Sequence, residues 1–486
     1  MMLLLVAQAL YVGNHACAVC HAGIFQSYRS TPMARSSGVV GGQLRAGSFR
    51  HTPSGTDYRI ESSGLVHVSK GSRQIERKLE YFIGSGQAGQ SFLYSLNGFL
   101  YQAPVTWYSQ QSRWDVSPGY ESDRASRWNR AVEPDCLGCH SSQVRFAAGY
   151  ENLYADPPFA QNGVGCERCH GPGSEHIAGR GGMINPAKLD PARRDAVCAQ
   201  CHMSGEARIA RTGRRWQDYR PGDLLSSYVA YFVYDRVTAL KATSYVERLA
   251  ASRCKIASGN RLWCGTCHDP HRIPAAQERV RWYRSRCLSC HRPAECQRGD
   301  DCASCHMPKR HVVDGGHGVL TDHSIPRRPS EIRDTPHDHW QLEPFSSADA
   351  GTRELGLAYA EVSRRTGDSR QQREAFRLLS KASQDSQVQV RLADLERRRG
   401  NPATAAALYE SVLRKDPNAL VALVNLGNAY GSAGRLNEAI ALWRQALKRS
   451  PCLPEALANL ATALEAQRDR SGVEALRKIQ SGCVVE

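Results

Sequence analysis

The 486-residue chain is long enough for about three domains. Its 41% hydrophobic and 23% charged residues suit a folded globular protein and exclude a membrane bundle or wholesale disorder. No run of 18 apolar residues occurs, so no segment is expected to cross a bilayer; what sets the chain apart is 18 cysteines and a formal charge of +16.

The first nine residues are apolar and end in Ala7-Gln8-Ala9, an A-x-A cleavage pattern, so residues 1–10 read as the remnant of an export signal, although the stretch is short and lacks a basic start. Directly after it stands Cys17-Ala18-Val19-Cys20-His21, the first of seven copies of Cys-x-x-Cys-His. The others are Cys136, Cys139 and His140; Cys166, Cys169 and His170; Cys198, Cys201 and His202; Cys264, Cys267 and His268; Cys287, Cys290 and His291; Cys302, Cys305 and His306. This is the spacing of c-type haem attachment: two thiols three positions apart meet the two vinyl groups on one porphyrin edge, and the next residue supplies a nitrogen to the iron. Zinc ribbons also use Cys-x-x-Cys pairs, but in twos, roughly 15–20 residues apart. Here successive motifs lie 119, 30, 32, 66, 23 and 15 residues apart, and zinc gives no reason for a histidine after every second cysteine. Seven covalent haems c are expected.

Between the first and second motifs the texture changes. Tyr58-Arg59-Ile60-Glu61 and Leu65-Val66-His67-Val68 read as strands, with turns at Ser63-Gly64 and Lys70-Gly71. Glycine and aromatic residues then crowd residues 84–120, giving a small β-rich insertion at about 43–120 whose aromatics read as core. Motifs two to seven are closely spaced, so short helices, irregular chain and an interior filled by porphyrins are expected there. Prolines 326, 329, 336 and 344 mark a linker at 327–347.

From residue 348 to 486 the chain becomes rich in Ala, Leu and Arg, and a period appears. Gly400 recurs as Gly434, Ala405 as Ala439, Tyr409 as Trp443, Leu413 as Leu447 and Pro417 as Pro451, each a step of 34 residues. That is the tetratricopeptide period, and it predicts about four helix pairs stacked as a solenoid. The expected fold is therefore mainly α: a haem-packed domain at 11–326 with its β-rich insertion, then an α-solenoid.

Each iron has a second axial position. Ten histidines lie outside the motifs: His15, His51, His67, His176, His271, His311, His317, His323, His337 and His339. His271 follows His268 too closely to reach the far side of the same haem and should serve a neighbour. His176, His317 and His323 can reach other haems, whereas His337 and His339 read as surface residues and His67 as a strand residue. Met33 is a further candidate ligand, and Met203 and Met307 read as packing. Of the remaining cysteines, Cys254 with Cys296 and Cys452 with Cys483 are possible disulfides in an oxidising compartment.

Residues 1–340 carry +12 and residues 341–486 carry +4. Seven haems bring about −14 in propionates, which Arg and Lys pair with, so the basic charge reads as cofactor compensation and not as a nucleic-acid surface.

With these residues in hand, the chain resembles a bacterial multihaem cytochrome c fused to tetratricopeptide repeats, the haem part being similar to the family of the tetrahaem cytochrome of nitrification. The carrying features are Tyr11-Val12-Gly13, Thr31-Pro32-Met33-Ala34, the aromatic stretch at 84–120, Cys169-His170-Gly171-Pro172-Gly173 with His176, Cys267-His268-Asp269-Pro270-His271, and Cys305-His306-Met307-Pro308-Lys309 followed by Thr321-Asp322-His323. The resemblance covers about residues 11–326. It implies periplasmic electron transfer through stacked, largely bis-His haems and makes His51, His176, His271, His317 and His323 the sixth ligands. An electron carrier whose repeats dock a redox partner is the favoured reading. The alternative is a multihaem oxidoreductase acting on nitrite, hydroxylamine or a sulfur oxyanion at one open iron.

Overall fold

A computed structural model describes residues 10–42, 44–147, 150–234, 239–292, 299–328 and 340–485. The signal-like residues 1–9, Cys296, His337 and His339 lie outside the described residues.

After the first motif the chain builds two antiparallel sheets. Gly47–His51, Thr56–Ile60, Leu65–Lys70 and Arg73–Lys78 form a four-stranded meander. Alternation sets its faces: Thr56, Tyr58 and Ile60, then Val66 and Val68, are buried while their neighbours are not. A six-stranded sheet follows, running in the order Ser37–Val39, Tyr81–Ile83, Gly89–Leu96, Phe99–Tyr108 and Arg130–Ala131, with Arg113–Val116 also paired to Phe99–Tyr108. Its longest hairpin turns at Asn97-Gly98, both with positive φ (53° and 83°), which suits the right-handed twist of the flanking strands. Tyr58, Ile60, Val66, Phe92, Tyr94, Tyr101, Val105, Trp114 and Trp128 share one core.

Strands continue beyond this region. Ser142–Phe146 pairs with Tyr154–Gln161, Ala207–Ala210 with Val229–Tyr234 and then Leu342–Pro344, and Lys309–His311 with Val319–Thr321. The expectation of a mainly α, haem-packed protein is therefore corrected: helix accounts for 43% and strand for 19%, with antiparallel sheets throughout the N-terminal part. The physical reason is that the motif helices are short, some only Glu167–His170 or Cys264–Cys267. Such single turns satisfy few backbone groups, and the chain between motifs satisfies the rest by hairpins. Nor is the interior beside the motifs without its own core. Ala196, Ala199, Met203, Trp216, Tyr219, Leu225, Val229 and Tyr231 pack together against Cys139, and Leu137 packs with Tyr81, Leu93, Leu100, Val132, Tyr154 and Phe159.

The C-terminal part is eight helices: Thr352–Thr366, Ser369–Leu379, Ser386–Arg398, Pro402–Lys415, Leu420–Ser432, Leu436–Arg449, Pro454–Ala466 and Arg470–Cys483. The periodic glycines end helices or lie in the turns between them: Gly367, Gly400 and Gly434 all have φ between 76° and 85°, which an L side chain adopts only with strain. At Gly427 a Cβ would meet the Trp443 indole at 2.6 Å, so glycine sets how closely those two helices approach.

The solenoid is fastened to the N-terminal part at both ends. Its first helices share a core with Ala207, Ile209, Ala230, Phe232 and Leu342. At the far end Cys452 and Cys483 form a disulfide, the Trp128 amide donates to the Cys483 carbonyl (3.0 Å), and Val484–Val485 pairs with Ser126–Arg127.

Candidate haem-binding centre

Six of the seven motif histidines stand at or directly past the end of a helix and His291 three residues past Leu288, so the backbone fixes where each ring starts. Second contacts then fix how several rings face. The Nδ1 atoms of His170, His306 and His323 sit on the carbonyls of Ile184 (2.7 Å), Pro326 (2.9 Å) and Thr321 (3.0 Å), and that of His176 on Gly181 (3.3 Å). His268 Nδ1 meets the Tyr283 hydroxyl at 3.3 Å. Such a contact orients an imidazole and directs Nε2 toward a metal.

Three of these rings are opposed by a histidine from outside the motifs. His21 faces His176 with ring centres 6.4 Å apart and 16° between planes; His170 faces His271 at 5.8 Å and 11°; His268 faces His323 at 6.1 Å and 32°. Two imidazoles that ligate one metal from opposite sides hold their centres about 6 Å apart, twice a ~2 Å metal–nitrogen bond plus the ~1 Å from nitrogen to ring centre. The residues present thus fit a planar iron porphyrin between each pair.

Electrostatics agree with that fit. Burial pushes His140 and His202 below the ordinary imidazole value, with a neighbouring histidine adding to the effect. Burial lowers His268 to about 4, and it lowers His271 and His323 as well. These rings are neutral at pH 7, the form that offers a lone pair to a metal. Arg168, inside the third motif, stacks over Trp216 at 5.4 Å, and its Nε and Nη2 are buried with no partner among the described residues. A buried guanidinium of this kind suits a carboxylate brought in by a cofactor, as a haem propionate would be. Among the described residues no three of His, Cys, Asp and Glu converge as a metal site built of protein alone would require.

The cysteines show which motifs are neighbours. The Cys17 thiol lies against Cys166, Cys139 against Cys201, Cys198 against Cys264 and Cys287 against Cys302. Cys169 is within electrostatic reach of Cys201, and Cys267 of Cys290. Motifs one, three, four, five, six and seven therefore form a continuous row, with motif two joined to it beside motif four. Cys136, Cys20 and Cys305 complete their pairs, and Cys254 sits near Cys290.

The other candidate histidines are placed differently. His51 is buried between the Ser54 hydroxyl (2.8 Å) and the Glu121 carbonyl (3.0 Å), so both ring nitrogens are engaged. His317 turns Nε2 toward Asp115 (2.9 Å) and packs on Tyr108. His67 lies between Glu61 and Glu76, and His15 beside Phe25. Sequence reading passed over Glu167, Glu247 and Asp322, buried carboxylates beside motif or ligand segments. An acid standing inside or next to a motif of otherwise small or polar residues was the available signal.

Comparison with known proteins assigns residues 107–171 to the model "Cytochrome c554 and c-prime", and residues 357–419 and 396–451 to tetratricopeptide repeat models. The multiheme cytochrome MtrA of Shewanella baltica (strain OS185) is 21% identical over 240 residues; the match covers 43% of this chain and 66% of that protein, just short of two thirds of its length. Among solved structures, MamA is 16% identical (26% of this chain, 76% of that one, TM-score 0.24), and YrrB, described as a TPR protein with an unusual peptide-binding site, is 14% identical (27% and 69%, TM-score 0.23). The chain combines a cytochrome c554-type segment, with the covalent haem c that this implies, and a block of tetratricopeptide repeats.

Proposed function

We propose that the protein is an exported multihaem cytochrome c that moves electrons along seven covalently held haems, with its repeat domain docking a protein partner. The observation that carries this reading is the set of opposed pairs His21–His176, His170–His271 and His268–His323. When bound, each iron supplies one-electron ferric–ferrous chemistry. The protein's part is to fix the axial histidines, bury them so that they stay neutral, pair the propionates with arginines, and set the motifs in a row. Motifs one and seven are the terminal members of that row. Tetratricopeptide repeats commonly bind other proteins, and no helix among the described residues is long and apolar enough to cross a membrane. The MtrA likeness supports export, and we place the protein in the periplasm.

A second reading, an oxidoreductase with one open iron, rests on His140. Its charge neighbour is His202, the ligand of another motif, and no spare histidine is seen opposite it among the described residues. Two measurements on the mature protein test both readings. Intact mass is expected to show seven haem adducts, and fewer would overturn the count. Electron paramagnetic resonance is expected to show low-spin signals unmoved by nitrite or hydroxylamine; a high-spin signal that shifts on their addition would favour the oxidoreductase.

A further inference from the structure

Glu167 occupies the first variable position of the third motif and is 3% exposed. Its Oε1 accepts from the Val12 and Gly173 amides and its Oε2 from the Gly13 amide, each at 2.8 Å. These three amides belong to different parts of one site. Val12 and Gly13 lead directly into the helix Asn14–Cys20 that carries the first motif, with Gly13 as its N-cap. Gly173 leads into the turn Ser174–Ile177 that presents His176 to His21. The approach is close, for a Cβ at Gly173 would lie 2.8 Å from Val12 and 3.3 Å from the Glu167 carboxylate. A reciprocal contact closes the arrangement: Asn14 Oδ1 accepts from the Cys166 amide at 2.8 Å.

Its partners differ from those of Asp322, another buried acid beside a ligand. Asp322 is held by Arg248 (2.5 Å) and Arg310 (2.9 Å), which balance its charge. Glu167 instead accepts from three neutral amides, which orient a carboxylate without cancelling its charge. Its field reaches the first motif, where the Cys17 thiol is raised by burial and then by Glu167.

We infer that Glu167 is a positioning residue that joins the first and third haem sites, holding His21 and His176 in opposition and setting its carboxylate against the segment that carries the first motif. The inference rests on the reading of His21 and His176 as an axial pair. A buried negative charge favours the ferric over the ferrous state and so lowers that site's potential.

The test uses the full-length, haem-loaded protein with Glu167→Gln, Glu167→Ala and His176→Ala. Glu167→Gln, which keeps size and removes charge, is expected to retain the wild-type haem mass while one midpoint potential in a spectroelectrochemical titration moves upward. Glu167→Ala is expected to convert one low-spin signal to high-spin, restored by added imidazole, and His176→Ala to give the same signal. A Glu167→Gln titration that superimposes on wild type overturns the inference. So does a Glu167→Ala protein that keeps every low-spin signal while His176→Ala loses one. If His176→Ala itself keeps all its low-spin signals, the axial-pair reading falls first and takes the inference with it.

Discussion

The imidazoles of His170 and His271 lie nearly parallel, 5.8 Å apart with 11° between their planes, although the whole of the fourth and fifth motifs stands between them in the chain. On the proposed reading of this pair as ligands of one iron, the third haem site is complete only once that downstream chain has folded back.

His271→Ala is expected to leave the number of haem adducts unchanged while one low-spin signal becomes high-spin and is recovered by free imidazole. His323→Ala should do the same at the fifth motif. His51→Ala, whose ring is engaged by Ser54 and Glu121, is expected to leave the spectrum as it is. Electron paramagnetic resonance on the three purified variants distinguishes these outcomes.

Removing the carboxylate of Asp322 takes a shared anionic partner from buried Arg248 and half-buried Arg310. Asp322 is 0% exposed and lies within 2.9 Å of both Arg248 and Arg310. Breaking a buried pair by deleting one partner costs about 3–5 kcal/mol. Asp322→Ala should therefore unfold at clearly lower denaturant than wild type, and a midpoint within error of wild type would refute the clamp.

Asp385 gives the repeat domain a pH dependence. Burial pushes its carboxyl up, but the Arg353 guanidinium at 2.5 Å and the Val388 amide at 3.0 Å outweigh burial and hold it below the usual value. A carboxyl lowered in the folded state contributes stability that is present above the unfolded value of about 3.9 and is lost as pH falls through the lower folded value. Asp385→Asn should be less stable at pH 7 by about 1–2 kcal/mol, with the difference from wild type shrinking below about pH 4. Urea melts at pH 7, 4 and 3 measure it.

The Cys452–Cys483 disulfide closes a separation of 31 residues. Loop-closure entropy for a ring of that size is worth roughly 3–4 kcal/mol. Cys452→Ser with Cys483→Ser is expected to lower the melting temperature and to release the last helix first, seen as early amide exchange at residues 470–483 and at Trp128. Wild type under reducing conditions should behave alike.

Much of this molecule can be read from its residues, for identifiable reasons. The motif cysteines and histidines are legible because thioether chemistry tolerates only that spacing. Gly400 and Gly434 mark the repeats because only glycine sits easily at their backbone angles. His176, His271 and His323 stand opposite motif histidines, and their nearness in sequence to a motif limits where each can go. For His51 and His317 the sequence sets no such limit, because the ring partners, Glu121 and Asp115, lie far away in sequence. The strand content was underestimated for a similar reason. Tyr154–Gln161 contains Pro157 and Pro158 and gives little alternation, and it is a strand because Ser142–Phe146 lies beside it. The junction between solenoid and sheets left no local mark.

That junction has a bearing on biosynthesis. The edge at Ser126–Arg127 receives its pairing strand from Val484–Val485, and the Trp128 amide its acceptor from Cys483. A ribosome makes Ser126–Arg127 early and its pairing strand hundreds of residues later. The backbone of Ser126–Arg127 and the Trp128 amide therefore gain these partners only after the repeats have been made. A chain cut short within the repeats would lack those partners, and its N-terminal part would lose this second fastening to the solenoid.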